Sequence, residues 1–381
     1  MKIAIVTETF LPSTDGIVTR LCATIQWLQK SGHEVLIIAP DLGINEFEGA
    51  KVKGVPARTF FFYPDRKFSL PTHKVKKYLQ EFRPDIVHVV NPALVGASGV
   101  YYSRRLGLPL VASYHTNIAQ YSSYYRLPFL LPLLWKYFRI LHNQADVNLC
   151  TSESVKDELT SRGFRNLHVW KRGVAVQQFG SQNYDQTMRE YLTNGQPEKT
   201  LLLYVGRLAA EKGIERIRDV LEGSSNLCLA LVGDGPHKET LRCYFRDTNC
   251  IFTGFFHGEK LAKAYASADI FVFPSITETL GLVILEAMAS GLPVVAARTG
   301  PSSEQIVDGT TGLLYLPDDP NSLKETILKL NEKTIRWKIG RNAYNVARSF
   351  GWDESAEQLL EFYKLAYNTH SHRNRYLLGL D

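Results

Sequence analysis

The chain has 381 residues, 45% of them hydrophobic and 22% charged, with 44 Lys and Arg against 38 Asp and Glu for a formal net charge of +6. That length exceeds one ordinary core and predicts two domains, in a composition usual for a soluble globular protein. The mild positive balance suits anionic partners such as phosphates or anionic lipid, while the lack of zinc spacing and of an aromatic RNP pattern argues against nucleic acid.

The first strand candidate is Ile3–Val6, preceded only by Met1-Lys2 and followed by Thr7-Glu8, so no secretory leader is read. No apolar stretch approaches the roughly 20 residues of a membrane span. The five cysteines, Cys22, Cys150, Cys228, Cys243 and Cys250, are scattered without a Cys-x-x-Cys, which predicts buried free thiols in a reducing compartment. A cytoplasmic protein, or one peripheral to a cytoplasmic membrane face, is the expectation.

Gly16 precedes a helical pattern from Ile17 to Lys30, and a glycine there lets a ligand approach a helix N-terminus. The loop is not Gly-x-Gly-x-x-Gly, which argues against a dinucleotide oxidoreductase. Apolar runs at Val35–Ala39, Ile86–Val90, Leu110–Ser113 and Val147–Cys150 alternate with helical patterns such as Val75, Tyr78, Leu79 and Phe82. This is the signature of βαβ units and a parallel sheet. His115 follows Leu110–Ser113 at a strand's carboxyl end. Tyr121–Arg139 is rich in aromatics, leucines and cations. Leu133–Leu141 reads as a core helix, and Tyr121–Leu131 as either core or an interfacial segment meeting lipid headgroups. Lys74, Lys76 and Lys77 form a basic face that is either merely solvated or set against anionic lipid.

The polar stretch Gly180–Lys199 reads as the linker region. A second βαβ series follows at Leu201–Val205, Leu227–Val232, Ile270–Phe273, Val294–Ala296 and Leu313–Tyr315. The fold class is therefore α/β: two Rossmann-like doubly wound domains facing across a cleft, spanning 1–178 and 179–352. A terminal helical pattern, within 353–381, crosses back to the first domain.

Functional residues gather at the carboxyl ends of the second series, where open α/β sheets bind ligands. Arg207 and Lys212 follow Leu201–Val205, and two cations there can neutralise a diphosphate. Glu278 lies in the turn after Ile270–Phe273, and Glu286 about two turns into the helix that follows. Free backbone N–H groups at Leu280 and Gly281 are expected to face an anion. Gly254, after Cys250–Phe252, could pass close to a base. Each residue read alone is an exposed loop charge or a structural turn; together they suit a sugar nucleotide.

The chain resembles the retaining GT-B glycosyltransferases of family four. The likeness rests on the Glu-x7-Glu pair, Gly-Arg-Leu…Glu-Lys-Gly, Val-Gly-Asp-Gly-Pro, Ser-Tyr-His-Thr and Glu-Ala-Met-Ala-Ser-Gly-Leu-Pro-Val-Val, which span nearly the whole chain. By that resemblance Glu286 holds the nucleotide ribose, Glu278 holds sugar hydroxyls, and Arg207 and Lys212 grip the diphosphate. Gly16 admits phosphate, and His115 sits beside the sugar's C6 group. The resemblance implies a metal-independent reaction with no cofactor, the UDP-sugar being a substrate. The chain departs from the family at Thr279-Leu280, at Asp15, and at Arg172, where Asn is usual.

Asn91-Pro92-Ala93, Arg172-Gly173-Val174 and Thr277-Glu278-Thr279-Leu280-Gly281 further resemble the branch that makes sulfolipid in cyanobacteria and plastids. That implies UDP-sulfoquinovose as donor and diacylglycerol as acceptor, at a membrane surface such as the thylakoid. Arg172 would then meet the sulfonate. A UDP-glucose or UDP-galactose diacylglycerol transferase is the alternative within the family. A non-catalytic sugar-nucleotide or lipid-binding protein is the alternative outside it.

Overall fold

A computed structural model of the protein describes residues 1–13, 15–60, 63–115, 131–222 and 224–377. The chain divides into two compact units, one of residues 1–172 with 352–381, the other of residues 173–351.

The first unit is built on apolar runs that sheet burial demands. Its strands are β1 (Lys2–Thr7), β2 (Glu34–Pro40), β3 (Glu46–Phe47), β4 (Ala50–Val55), β5 (Arg58–Phe60), β6 (Tyr63–Phe68), β7 (Ile86–Val90), β8 (Leu110–Ser113), β9 (Val147–Cys150) and β10 (Leu167–Val169). Eight form one sheet in the order β10-β9-β8-β7-β1-β2-β4-β3, parallel except for the β3–β4 pair, and β5 pairs with β6 apart from it. Ile3, Ile5, Ile37 and Ile86 are wholly buried, as a parallel sheet covered on both faces requires. β1 lies between β2 and β7, so the strand order reverses beside it. Helices α1 (Gly16–Lys30), α2 (Lys74–Phe82) and α3 (Val95–Arg105) complete the crossovers. The helix Trp352–Leu377 belongs to this unit and buries Leu359, Tyr363 and Ala366 in its core.

In the second unit the strands are β11 (Thr200–Val205), β12 (Leu227–Val232), β13 (Cys250–Gly254), β14 (Ile270–Phe273), β15 (Val294–Ala297) and β16 (Gly312–Tyr315). They form one parallel sheet in the order β13-β12-β11-β14-β15-β16, the doubly wound order of nucleotide-binding folds. Gly233 and Gly235 follow β12, and a Cβ on either would fall 1.9 Å from the Gly206 carbonyl oxygen or 2.3 Å from that of Leu208. Only glycine lets these two loops lie together.

Three expectations from the sequence are corrected. Gly180–Lys199 is not a linker: it carries a helix, Gln186–Leu192, whose Met188 and Leu192 enter the core of the second unit. Its polar composition hid two well-spaced apolar anchors. The helix Leu131–His142 is only half core. Trp135 and Phe138 are buried, whereas Leu133 and Ile140 are 63% and 52% exposed. Residues 121–130 of the expected interfacial segment lie outside the described residues. Finally, Cys243 is exposed, while Cys150 and Cys228 are buried.

Candidate functional site

In the second unit β11 pairs with β12 on one side and β14 on the other. The loops leaving the carboxyl ends of β11 and β14 therefore part at the point where strand order reverses, and such a point opens a ligand crevice. The β11 loop carries Arg207 and then a 3-10 turn, Ala210–Lys212, that ends on Lys212. The β14 loop carries Glu278 and leads into the helix Leu282–Ala289, with Gly281 as its cap at φ 61°.

Lys212 Nζ lies 2.8 Å from Glu278 Oε2. Burial works to raise the Glu278 carboxyl, but the Lys212 charge and hydrogen bond, with the amides of Thr279 and Leu280, outweigh it and hold the group below its ordinary value. The expected free amide at Leu280 is thus corrected. It is turned onto the Glu278 carboxylate, and the Leu280 carbonyl accepts from Gln305 Nε2 at 3.0 Å. Residue 280 stands in this loop as a backbone support for Glu278.

Arg207 forms an ion pair with Glu211, which is 3% exposed. Glu211 is absent from the sequence-based candidates, although its place four residues after Arg207 was a usable signal. Glu286, the fifth residue of its helix, accepts a 2.8 Å hydrogen bond from the Tyr265 hydroxyl. Burial pushes its carboxyl up to about 7 against the lowering effect of that bond. A carboxyl poised there is a strong acceptor for hydroxyls once ionised. Gly254 ends β13 at φ 76°, with open space where a Cβ would stand.

The remaining candidates belong to the first unit. Gly16 begins α1, where the Asp15 side chain accepts from the amides of Ile17 and Val18, both at 3.1 Å. His115 is 5% exposed, and its Nε2 is 2.9 Å from Ser113 Oγ. Ser113 Oγ is also 2.8 Å from His88 Nε2, and His88 Nδ1 is 2.9 Å from the Tyr363 hydroxyl. Burial first, and then the Arg20 charge, push His115 well below the usual histidine range and His88 down to about 3. Both rings are neutral at pH 7. Arg172 is 8% exposed and donates to the Thr151 carbonyl at 3.1 Å. His88 and Arg20 escaped the sequence reading; each is a polar residue inside an otherwise apolar strand or helix face, which was the available signal.

The charged loops of the second unit have the chemistry that suits a polyhydroxylated anion. On the loops after β11 and β14 two cations, Arg207 and Lys212, face two carboxylates, Glu211 and Glu278; in the first unit, separately, neutral imidazoles can exchange hydrogen bonds without charge. Among the described residues no group of His, Cys, Asp and Glu has the geometry to hold a metal ion.

Residues 14–178 match the sequence profile described as Glycosyltransferase Family 4, and residues 190–346 match Glycosyl transferases group 1. The chain is 35% identical to the sulfoquinovosyl transferase SQD2 of Arabidopsis thaliana, over 88% of this chain and 68% of that protein. It is equally 35% identical to a GDP-mannose-dependent alpha-mannosyltransferase of Mycobacterium tuberculosis, over 96% of both. An alpha-monoglucosyldiacylglycerol synthase of Streptococcus pneumoniae is 29% identical over 95% of this chain and 85% of the relative. Among solved structures, Anabaena HepE in complex with UDP-glucose superposes with a TM-score of 0.78 at 20% identity, covering 95% of this chain and 99% of that one. The two Rossmann-like units are thus those of the GT-B fold.

Proposed function

The chain belongs to glycosyltransferase family 4, and on that premise we propose that it moves sulfoquinovose from UDP-sulfoquinovose to diacylglycerol with retention. That it is a sugar-transferring enzyme follows from the family. The observation that carries the finer reading is Arg172, a nearly buried cation in the turn after β10, in the same unit as His115. A sulfonate stays ionised at every physiological pH, so its pocket must supply charge or donors. The likeness to the Arabidopsis sulfoquinovosyl transferase supports this donor.

In this reading Arg207 and Lys212 hold the donor diphosphate and stabilise its charge as it departs. Glu278 exchanges Lys212 for sugar hydroxyls, and Glu286 takes the ribose. The departing diphosphate itself accepts the proton of the diacylglycerol hydroxyl on the same face of the sugar, which preserves the anomeric configuration. Neutral His115 hydrogen-bonds the substituent at C6.

The acceptor implies a membrane surface. No helix among the described residues is long and apolar enough to cross a membrane. The exposed face of Leu131–His142 combines Leu133, Tyr137 and Ile140 with Lys136 and Arg139, the chemistry of a peripheral contact with anionic lipid. A cytoplasmic membrane face, the thylakoid included, would provide it.

One assay tests the whole reading. UDP-sulfoquinovose, UDP-glucose, UDP-galactose and GDP-mannose are offered separately with diacylglycerol vesicles, and the lipid product is identified by mass. UDP-sulfoquinovose is the expected donor. Preference for GDP-mannose, the donor in the mycobacterial relative's name, would overturn it.

A further inference from the structure

Arg20 has no exposed surface, although it lies on the helix face that buries Leu21, Ile25 and Leu28. Its guanidinium stacks on Trp170, with Cζ 3.4 Å from the ring centroid. Nη2 donates to the carbonyls of Trp170 at 2.9 Å and Lys171 at 2.6 Å. Nε and Nη1 are buried with no acceptor among the described residues. No salt bridge joins Arg20 to a carboxylate among the described residues; the charged group acting most strongly on it is Arg172, of the same sign.

A buried, unpaired charge costs stability, and a leucine or methionine would fill this place on α1 without that cost. Burial alone therefore does not account for an arginine here. The surroundings are rigid. Trp170 Nε1 donates to the Ser355 carbonyl at 2.9 Å, Ser355 Oγ donates to the Lys171 carbonyl at 2.7 Å, and the Lys171 amide donates to Gln358 at 2.7 Å. The turn 170–172 is thus fastened to the C-terminal helix of its own unit. The His115 ring packs on Trp170 from another side, 5.7 Å between centroids. Arg172 and His115 reach the surface slightly, at 8% and 5% exposure, and Arg20 not at all.

We propose that Arg172, backed by the buried charge of Arg20, seats a strong-acid oxyanion, a sulfonate or phosphate carried by a substrate or lipid. The proposal rests on the glycosyltransferase reading for the identity of the carrier. A carboxylate is a poorer occupant, because desolvation drives it to take up a proton. Sulfonate keeps its charge, and phosphate keeps at least one. Arg20 is a positioning residue. It makes no contact with the occupant, and it acts by raising the positive potential at Arg172 and His115, where water does not screen it.

The test compares wild type with Arg20→Met and Arg20→Lys. In Arg20→Met the preference in kcat/KM for UDP-sulfoquinovose over UDP-glucose is expected to fall about tenfold or more, the scale of one poorly screened charge. Arg20→Lys is expected to keep most of it. If instead the variant loses stimulation by phosphatidic acid in the vesicles, the seat exists and its occupant is the lipid phosphate. Equal losses with both donors and an unchanged phosphatidic acid response would overturn the seat. A readout independent of turnover guards against failure of the donor reading. Sulfate should raise the Tm of wild type more than chloride does at equal ionic strength, and should lose that advantage in Arg20→Met. Equal sulfate shifts in both proteins, or none in wild type, overturn the seat whatever the donor proves to be.

Discussion

Lys212 Nζ and Glu278 Oε2 meet at 2.8 Å across the point where the strand order of the second unit reverses, joining residues 66 positions apart in sequence. The pair is partly buried, with side chains 13% and 22% exposed. Each charge keeps the other tolerable; in the function proposed above, a diphosphate and sugar hydroxyls replace them as partners.

Lys212→Ala is therefore expected to lower turnover by at least about a hundredfold, the effect of removing one preorganised charge-stabilising group. Arg207→Ala should act in the same direction, since its partner Glu211 is left buried without its cation. Steady-state kinetics with the preferred donor checks both. Near-normal turnover in the two variants would remove the diphosphate role.

Glu286 carries a pH signature. Its carboxyl, pushed by burial up to about 7, stays protonated in the folded chain after the unfolded chain has released its proton. Stability from this group thus declines as pH rises from the ordinary carboxyl value through about 7, and the penalty is complete above it. Glu286→Gln should flatten that decline and be the more stable protein at pH 8, by at most about 3 kcal/mol before allowance for residual solvent screening. UDP affinity should move oppositely. If the carboxylate accepts ribose hydroxyls, wild type gains affinity from pH 6 to pH 8 relative to the variant, as calorimetry would register. A constant ratio between the two proteins would assign Glu286 to structure alone.

Glu8 supports the first unit. Its carboxylate accepts from the amides of Ala93, Leu94 and Gly96 at 2.9, 2.7 and 2.9 Å and from Val95 at 3.2 Å. It caps the N-terminal end of α3, where burial raises its carboxyl and outweighs the amides and the helix dipole that act to lower it. Glu8→Gln keeps the shape but turns an amide NH2, a donor, toward backbone donors, at an expected cost of about 2 kcal/mol. Chemical denaturation measures this directly, and an unchanged midpoint would show that the amides find other partners.

Much of this architecture was legible. Apolar runs such as Leu201–Val205 and Ile270–Phe273 are wholly buried strands, because a sheet covered on both faces leaves no room for polar alternation. The strands β3 to β6 were missed: β3 has two residues, and β4 alternates buried and exposed positions in Ala50-Lys51-Val52-Lys53, so neither shows an apolar run. Around Arg207, Glu278 and Glu286 the sequence pointed to the motif residues but not to their partners. Glu211 was signalled only by its spacing from Arg207, and Tyr265 and Glu8 acquire meaning only once the fold sets them beside Glu286 and the start of α3. Leu280 was misread because an amide that looks free in a loop was already turned onto Glu278.

The helix Leu131–His142 yields the last prediction. Its buried face holds Trp135 and Phe138, while Leu133 and Ile140 stand 63% and 52% exposed with Lys136 and Arg139 beside them. An apolar side chain already in water adds little to folding, but its transfer into a bilayer interface contributes about 1.5–3 kcal/mol when complete. Leu133→Asp and Ile140→Asp are thus each expected to weaken binding to anionic vesicles by about tenfold or more, with little change in Tm. Lys136→Gln and Arg139→Gln together should lessen the salt dependence without abolishing binding, since charge acts only within a Debye length of the surface. Vesicle co-sedimentation across a salt series separates the two contributions. Unaltered binding in both aspartate variants would move the membrane contact elsewhere on the chain, and wild type that never sediments with anionic vesicles at low salt would remove it.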